Sequence, residues 1–142
     1  MLSEKYSFED LKMSSQLVRD LIARDEKVKP LVHQFFHEEG FKDQIQAKNF
    51  TSEKREILVE ALNKQNASSN LSDSSQKNIN SLSEETTYTV TTGHQLNLLT
   101  GPLYSIYKIA QCIDLAKRLN ESYPSNHFVP IFWMATEDHD FE

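Results

Sequence analysis

Thr86-Thr87-Tyr88-Thr89-Val90-Thr91-Thr92, leading into Gly93-His94-Gln95, and Phe128-Val129-Pro130-Ile131-Phe132-Trp133-Met134-Ala135 decide the fold of this chain, together with the segment that joins them. The first run is β-branched and aromatic, the composition of a strand, and Gly93 is expected to end it. The second is almost continuously apolar, as in a parallel strand covered on both faces, with Pro130 near its start where a lost ladder bond is tolerated. Between them, Pro102 after Gly101 suits the first position of a helix, because its missing N–H would have had no acceptor there. That helix is expected to reach about Asn120. At roughly 100° per residue, Ile106, Ile109, Ala110, Ile113 and Ala116 share an arc of about 120° and are predicted to pack on the sheet. Lys108, Gln111, Asp114 and Arg118 point elsewhere. Strand, helix and strand make a βαβ unit.

Toward the N-terminus the periodicity becomes helical. Ser7 as N-cap, Asp10, and Leu11, Leu17, Val18, Leu21 and Ile22 predict an amphipathic helix over 7–25. Pro30 should separate it from a short helical run, Leu31 to His37, closed near Gly40 as a C-cap. Thr51 to about Asn66 carries Ile57, Leu58, Ala61 and Leu62 with Glu and Lys on its other face, again a surface helix. Gln65 to Ser83 is rich in Ser, Asn and Gln, and Leu71, Ile79 and Leu82 could anchor either a weak helix or a mobile connection. The organisational boundary falls near residue 84: 1–84 reads as a mainly helical segment and 85–142 as a βαβ portion.

Composition excludes several function classes. The 142 residues suffice for one domain or a piece of one, and a net charge of -6, from 21 acidic and 15 basic residues, has no Lys/Arg block with which to gather phosphates of a nucleic acid. No apolar run approaches the roughly 20 residues of a membrane span, and Ser3, Glu4, Lys5 and Ser7 do not make a signal peptide. A soluble, cytoplasmic protein is expected. The single Cys112 forms no internal disulfide, in keeping with a reducing compartment, and no metal framework.

In a parallel βαβ unit both strands end on one side, so the turn after Thr92 and the cluster Glu137-Asp138-His139-Asp140 should converge there. The start of the helix near Pro102 leaves N–H groups open and carries partial positive charge, suited to a phosphate or carboxylate. Gly93 and Gly101 would let a ligand approach the backbone; Thr92, Thr100 and Tyr104 add hydroxyls, and His94 and Gln95 side chains that donate and accept. Neither dinucleotide nor P-loop glycine pattern is present, so the glycines alone could equally serve a tight connection. Crowded carboxylates around His139 suit proton transfer. A divalent metal held by Glu137, His139 and His94, or a solvated charged loop, are the alternatives. His33 and His37, four apart, read as surface residues, Cys112 as a packed thiol, Trp133 and Met134 as core, and Lys108 as a solvated lysine that could reach a ligand at the helix start.

Thr92-Gly93-His94-Gln95, Thr100-Gly101-Pro102-Leu103-Tyr104 with Lys108, and Val129 to Phe141 resemble the bacillithiol-synthesis cysteine ligase family (BshC), three motifs in order at the expected separations. Many members read Gly-Gln-Gln in the first motif, where this chain has His94 in place of a Gln. The resemblance implies an α/β fold with a Rossmann-like, nucleotidyltransferase-related core, here only its helical N-terminal part and first βαβ unit, and elsewhere a coiled coil that supports a homodimer. It implies a ligase that adds cysteine to glucosaminyl malate to form bacillithiol. A carboxylate must be activated before it reacts with an amine, and ATP is the activator expected. On that reading His94, Gln95, Asp138 and His139 are catalytic, and Thr92, Gly93, Thr100, Gly101, Tyr104, Glu137 and Asp140 bind substrate or nucleotide. No resident metal is expected. The alternatives are a non-catalytic nucleotide- or thiol-binding module and a metal-dependent hydrolase. Because family members are several times longer, this piece alone is expected to be inactive and marginally stable, its strand edges unpartnered.

Overall fold

The computed structural model of the chain describes residues 4, 6, 14–95 and 101–136, which form two compact units divided between Asn49 and Phe50. In the first unit, α1 (Gln16–Ala23) starts on Ser15, whose hydroxyl accepts from the Val18 N–H, and ends in a left-handed Arg24 with φ 57°. The single helix expected over 7–25 does not run through Ser14 and Ser15, which are not helical, because the Ser15 hydroxyl caps a new start there; residues 7–13, with the expected N-cap Ser7, lie outside the described residues. A 3-10 turn over Glu26–Leu31 follows, capped by Asp25, which accepts from the Lys27 N–H at 2.9 Å. That backbone bond, and then the Lys27 ammonium, hold the Asp25 carboxyl below the usual carboxylate range. The cap is therefore fully formed above that range and is lost as pH falls through the lowered value.

The helical run expected over Leu31–His37 is not formed. Pro30 sits inside the 3-10 turn, the chain after it is irregular, and α2 (Glu38–Ala47) begins where a helix was expected to stop. The reason is local: His37 is an N-cap, its Nδ1 accepting from the Gly40 N–H at 2.7 Å. Gly40 is needed for close approach, since a Cβ there would lie 2.4 Å from the Phe35 carbonyl oxygen. His33 Nδ1 pairs with Gln44 Oε1 at 2.9 Å, so His33 and His37 serve separate local bonds.

The second unit contains α3 (Ser52–Gln65), α4 (Asp73–Ser81), β1 (Thr87–Gln95), α5 (Leu103–Ser122) and β2 (His127–Ala135). Thr51 caps α3 through the Lys54 N–H, and Ser72 caps α4 through the Ser75 N–H, so the polar segment resolves into a real helix anchored by buried Leu82. The strands pair in parallel, with Thr87 opposite His127 and Gln95 opposite Ala135. Gly93 does not end β1; it lies within the strand opposite Trp133, where an added Cβ would meet the Trp133 carbonyl oxygen at 2.8 Å. A residue read as a turn is there for close interstrand approach.

Arg55 on α3 joins these elements. Only 6% exposed, its guanidinium donates to the carbonyls of Phe50, Leu82, Glu85 and Thr87 at 3.0–3.3 Å, and it lies 5.5 Å from the Phe50 ring centroid. The start of β2 is buried on both sides, as expected of its apolar run. Phe128 meets the rings of Tyr88 and Tyr123, while Val129 lines a cavity of about 270 Å³ with Leu62, Ile79 and Leu82. Its later half differs: Phe132, Trp133 and Met134 are exposed, Trp133 at 59%.

The face that α5 presents to the strands also differs from expectation. Ser105, Cys112, Ala116 and Leu119 are buried and Lys108 half-buried, whereas Ile106, Ile109 and Ile113 are exposed. The seated face lies about 100° around the helix from the isoleucine arc. Small side chains let the helix approach the strand backbone closely, and polar bonds hold it there. Cys112 Sγ–H donates to the Val90 carbonyl at 3.0 Å, and Asn120 pairs with both the N–H and the C=O of Phe128 at 2.9 Å.

Two substitutions test this framework in the full-length protein. Arg55→Met should cost about 3 kcal/mol or more, read as a lower urea midpoint with unchanged slope, because several buried carbonyls lose their donors together. Arg55→Lys should recover only part of it, since an ammonium cannot span that fork; full recovery would show that charge alone matters. Gly93→Ala should lower stability by about 1–3 kcal/mol, while Thr89→Ala, exposed on the same strand, should stay within about 0.5 kcal/mol of the parent.

Candidate functional site

The carboxyl end of a parallel strand pair, where α5 begins, is the place this topology offers a ligand. Thr92, Gly93, His94 and Gln95 form the last residues of β1, all half-buried. Gly101 has φ 63°, a left-handed conformation that lets the chain turn into Pro102 and the helix. Pro102 is the N-cap rather than the first helical residue, and it makes no side-chain capping bond. The Ser105 N–H turns back onto the Pro102 carbonyl at 2.9 Å, which leaves the N–H groups of Leu103 and Tyr104 at an open helix end.

The first two motifs meet in a side-chain contact. His94 Nε2 lies 2.6 Å from the Tyr104 hydroxyl, and the rings stand 5.1 Å apart at 53°. His94 Nδ1 is 3.0 Å from the Gln95 carbonyl oxygen. A carbonyl only accepts, so Nδ1 carries the proton; in the neutral ring Nε2 then accepts from the tyrosine O–H. The imidazole is thus held in one tautomer, with a phenol as its proton partner. Tyr104 is itself exposed, so the pair faces solvent.

Lys108 belongs to this group, contrary to its reading as a solvated lysine. Its ammonium donates to the Gly93 carbonyl at 2.7 Å and sits 5.9 Å from the Tyr104 ring centroid. Ser105, which sequence reasoning passed over, is buried with a hydroxyl that makes no hydrogen bond. Leaving such a group unpaired costs about 1–3 kcal/mol. The signal for both was available in their spacing: Ser105, Lys108 and Cys112 follow one another at three and four residues and so share a helix face.

The expected residues therefore separate into two sets. Thr92, Gly93, His94, Gln95, Gly101 and Tyr104 are brought to one end of the βα connection. Thr100, Glu137, Asp138, His139 and Asp140 lie outside the described residues, although β2 reaches Ala135 directly opposite Gln95 in the register. Among the described residues no cluster of three His, Cys, Asp or Glu side chains could hold a metal, and no helix is long and apolar enough to cross a membrane.

Comparison with known proteins gives this site a family. The model of the BshC bacillithiol-biosynthesis N-terminal Rossmann-like domain matches residues 1–142. A Flavobacterium psychrophilum protein named "Putative cysteine ligase BshC" is 51% identical over 131 residues, covering 90% of this chain and 25% of its own length. Proteins of the same name from Christiangramia forsetii and Bacillus cytotoxicus are 43% and 36% identical, covering 96% and 89% of this chain and 26% and 23% of their own. The chain thus spans about a quarter of the length of these relatives. From Phe50 onward, the parallel pair and its crossover helix are features of a Rossmann-like α/β domain, and the chain belongs to the BshC family of bacillithiol biosynthesis.

Proposed function

We propose that the carboxyl end of β1 and the start of α5 form part of the active site of a ligase that joins cysteine to glucosaminyl malate, giving bacillithiol. The observation that carries this reading is the His94–Tyr104 hydrogen bond beside a helix start at which Pro102 supplies no side-chain cap. It supports a reading in which a proton-handling pair stands next to a place for an anion. The relatives' name supplies the reaction class, a cysteine ligase.

The chemistry needs both features. An amide forms when the sugar amine attacks the cysteine carboxyl carbon, and one carboxyl oxygen must leave. ATP would supply the activation: moving its adenylyl group to that oxygen with release of pyrophosphate, or its phosphoryl group with release of ADP, would turn the oxygen into a leaving group. The amine then forms the C–N bond, the C–O bond to AMP or phosphate breaks, and the nitrogen's proton goes to a base. His94 and Gln95 stand at the reacting centre. Asp138 and His139, with Glu137 and Asp140, serve the substrate ammonium and the proton, while Thr92, Gly93, Thr100, Gly101 and Tyr104 hold the oxyanions. His94 accepts at Nε2, the atom it presents to Tyr104, and so can take up or return a proton without changing its hold on Gln95. In the whole protein a coiled coil supports a homodimer, and the 142 residues alone are inactive.

Incubation of the full-length protein with cysteine, glucosaminyl malate and ATP should give bacillithiol by mass spectrometry; none under any nucleotide condition would overturn the reading. Tyr104→Phe should lower kcat by about tenfold or more with little change in KM, since it removes the proton partner of His94 and leaves the ring. His94→Ala separates an enzyme from a binding module. Retained ligand affinity with lost turnover is the expected result, and loss of affinity alone would favour the module.

A further inference from the structure

Ser105 and Lys108 are polar side chains on the strand-facing side of the first two turns of α5. Ser105 is 6% exposed, and its hydroxyl has no hydrogen-bond partner, a rare condition for a buried polar atom. The Cα–Cβ bonds of a helix tilt toward its N-terminus, so the Ser105 side chain leaves the backbone toward the end where the Leu103 and Tyr104 N–H groups have no intrahelical acceptor. Lys108 spends one bond on the Gly93 carbonyl, and an ammonium has three N–H donors. Among the described residues no carboxylate pairs with Lys108. Among the described residues, these backbone N–H groups, hydroxyl and ammonium form a donor set on one side of the helix start with no acidic partner.

We propose that Ser105 and Lys108, with the first N–H groups of α5, form an oxyanion-binding subsite. Its ligand is a carboxylate or phosphoryl group of the reacting substrates. The identity of those substrates rests on the ligase reading above; the existence of the subsite does not. Lys108 supplies the charge, and its bond to Gly93 fixes that charge at the carboxyl end of β1 next to His94. Ser105 supplies a neutral donor whose buried hydroxyl gains a partner only when the anion arrives. The two residues therefore differ in what they do for the empty protein. Lys108 ties helix to strand, whereas the Ser105 hydroxyl stabilises nothing until a ligand is present.

That difference gives a test that a purely structural role would fail. Calorimetric titration of the full-length protein with inorganic phosphate, and separately with malate, should show binding of at least one of them. Phosphate alone would assign the site to a phosphoryl group, malate alone to a carboxylate, and both to either. Lys108→Met should weaken the bound anion by about tenfold or more, and Lys108→Arg should restore much of that loss. Ser105→Ala should weaken it by about fivefold while the melting temperature of the anion-free protein stays level or rises. Neither anion binding, both variants staying within about twofold of the parent, or Ser105→Ala lowering the melting temperature with affinity unchanged would each overturn the proposal. Anion binding that depends on Ser105 and Lys108, without bacillithiol formation, would leave the subsite standing and remove the ligase.

Discussion

The second unit depends on one buried cation that has no carboxylate partner among the described residues. Arg55 spreads its guanidinium over the carbonyls of Phe50, Leu82, Glu85 and Thr87, so the approach to α3, the end of α4 and the start of β1 share one donor. A buried charge without compensation is very costly. Here the compensation is backbone dipole, including carbonyls at the C-terminal end of α4, where the helix already favours positive charge. The geometry suits arginine because its donors diverge in one plane and reach several acceptors without bending. The polar segment between α3 and β1 owes its order to this point more than to its own propensity: it has little apolar surface to bury, and Leu82, which is buried, presents its carbonyl to Arg55.

What Arg55 does at the start of β1, Lys108 does near its end. Its bond to the Gly93 carbonyl and the His94–Tyr104 contact both join the first two turns of α5 to the last residues of the strand. The βα connection is therefore closed by side chains on either side of residues 96–100. Gly93 makes this feasible, because a Cβ at that position would collide with Trp133 and displace the strand end that carries His94. The site thus inherits its geometry from the same close interstrand approach that forms the sheet.

The sequence made the βαβ unit legible because each element carried its own period: β-branched residues in β1, Pro102 at the start of α5, and a continuous apolar run in β2. The helix expected from Thr51 was equally clear from the spacing of Ile57, Leu58, Ala61 and Leu62, and Thr51 proves to be its cap. Other features were hidden for physical reasons. A glycine marks a turn and a close approach alike, so Gly93 and Gly40 were read as ends when they are contacts. His37 caps a helix with a ring nitrogen, outside the usual serine, threonine and aspartate signal. Arg55 sits in a Glu- and Lys-rich helix, where one buried arginine looks like its solvated neighbours. Of the candidate site, the convergence expected from topology joined the turn after Thr92 to the cluster at 137–140, which lies outside the described residues; His94 and Tyr104, each named as a candidate, meet in a direct bond. Lys108 and Ser105 were obscured because amphipathic reasoning assigned the other side of α5 to the sheet.

That error bears on how the site is built. A helix seated by apolar burial alone would turn Ile106, Ile109 and Ile113 toward the strands, about 100° from its actual seat, and carry Lys108 away from Gly93. The observed rotation is held by polar bonds at three levels: Lys108 to Gly93, Cys112 to Val90, and Asn120 to both backbone groups of Phe128. Such bonds contribute only about 0.5–1.5 kcal/mol each, more where charged, yet they are directional where burial is not. They fix which side of the helix meets the strand ends while Ser105, Cys112 and Ala116 keep the contact close. The orientation of α5 is thus set by the same lysine that lies beside His94, and the chemistry of the site and the seating of its helix cannot be altered independently.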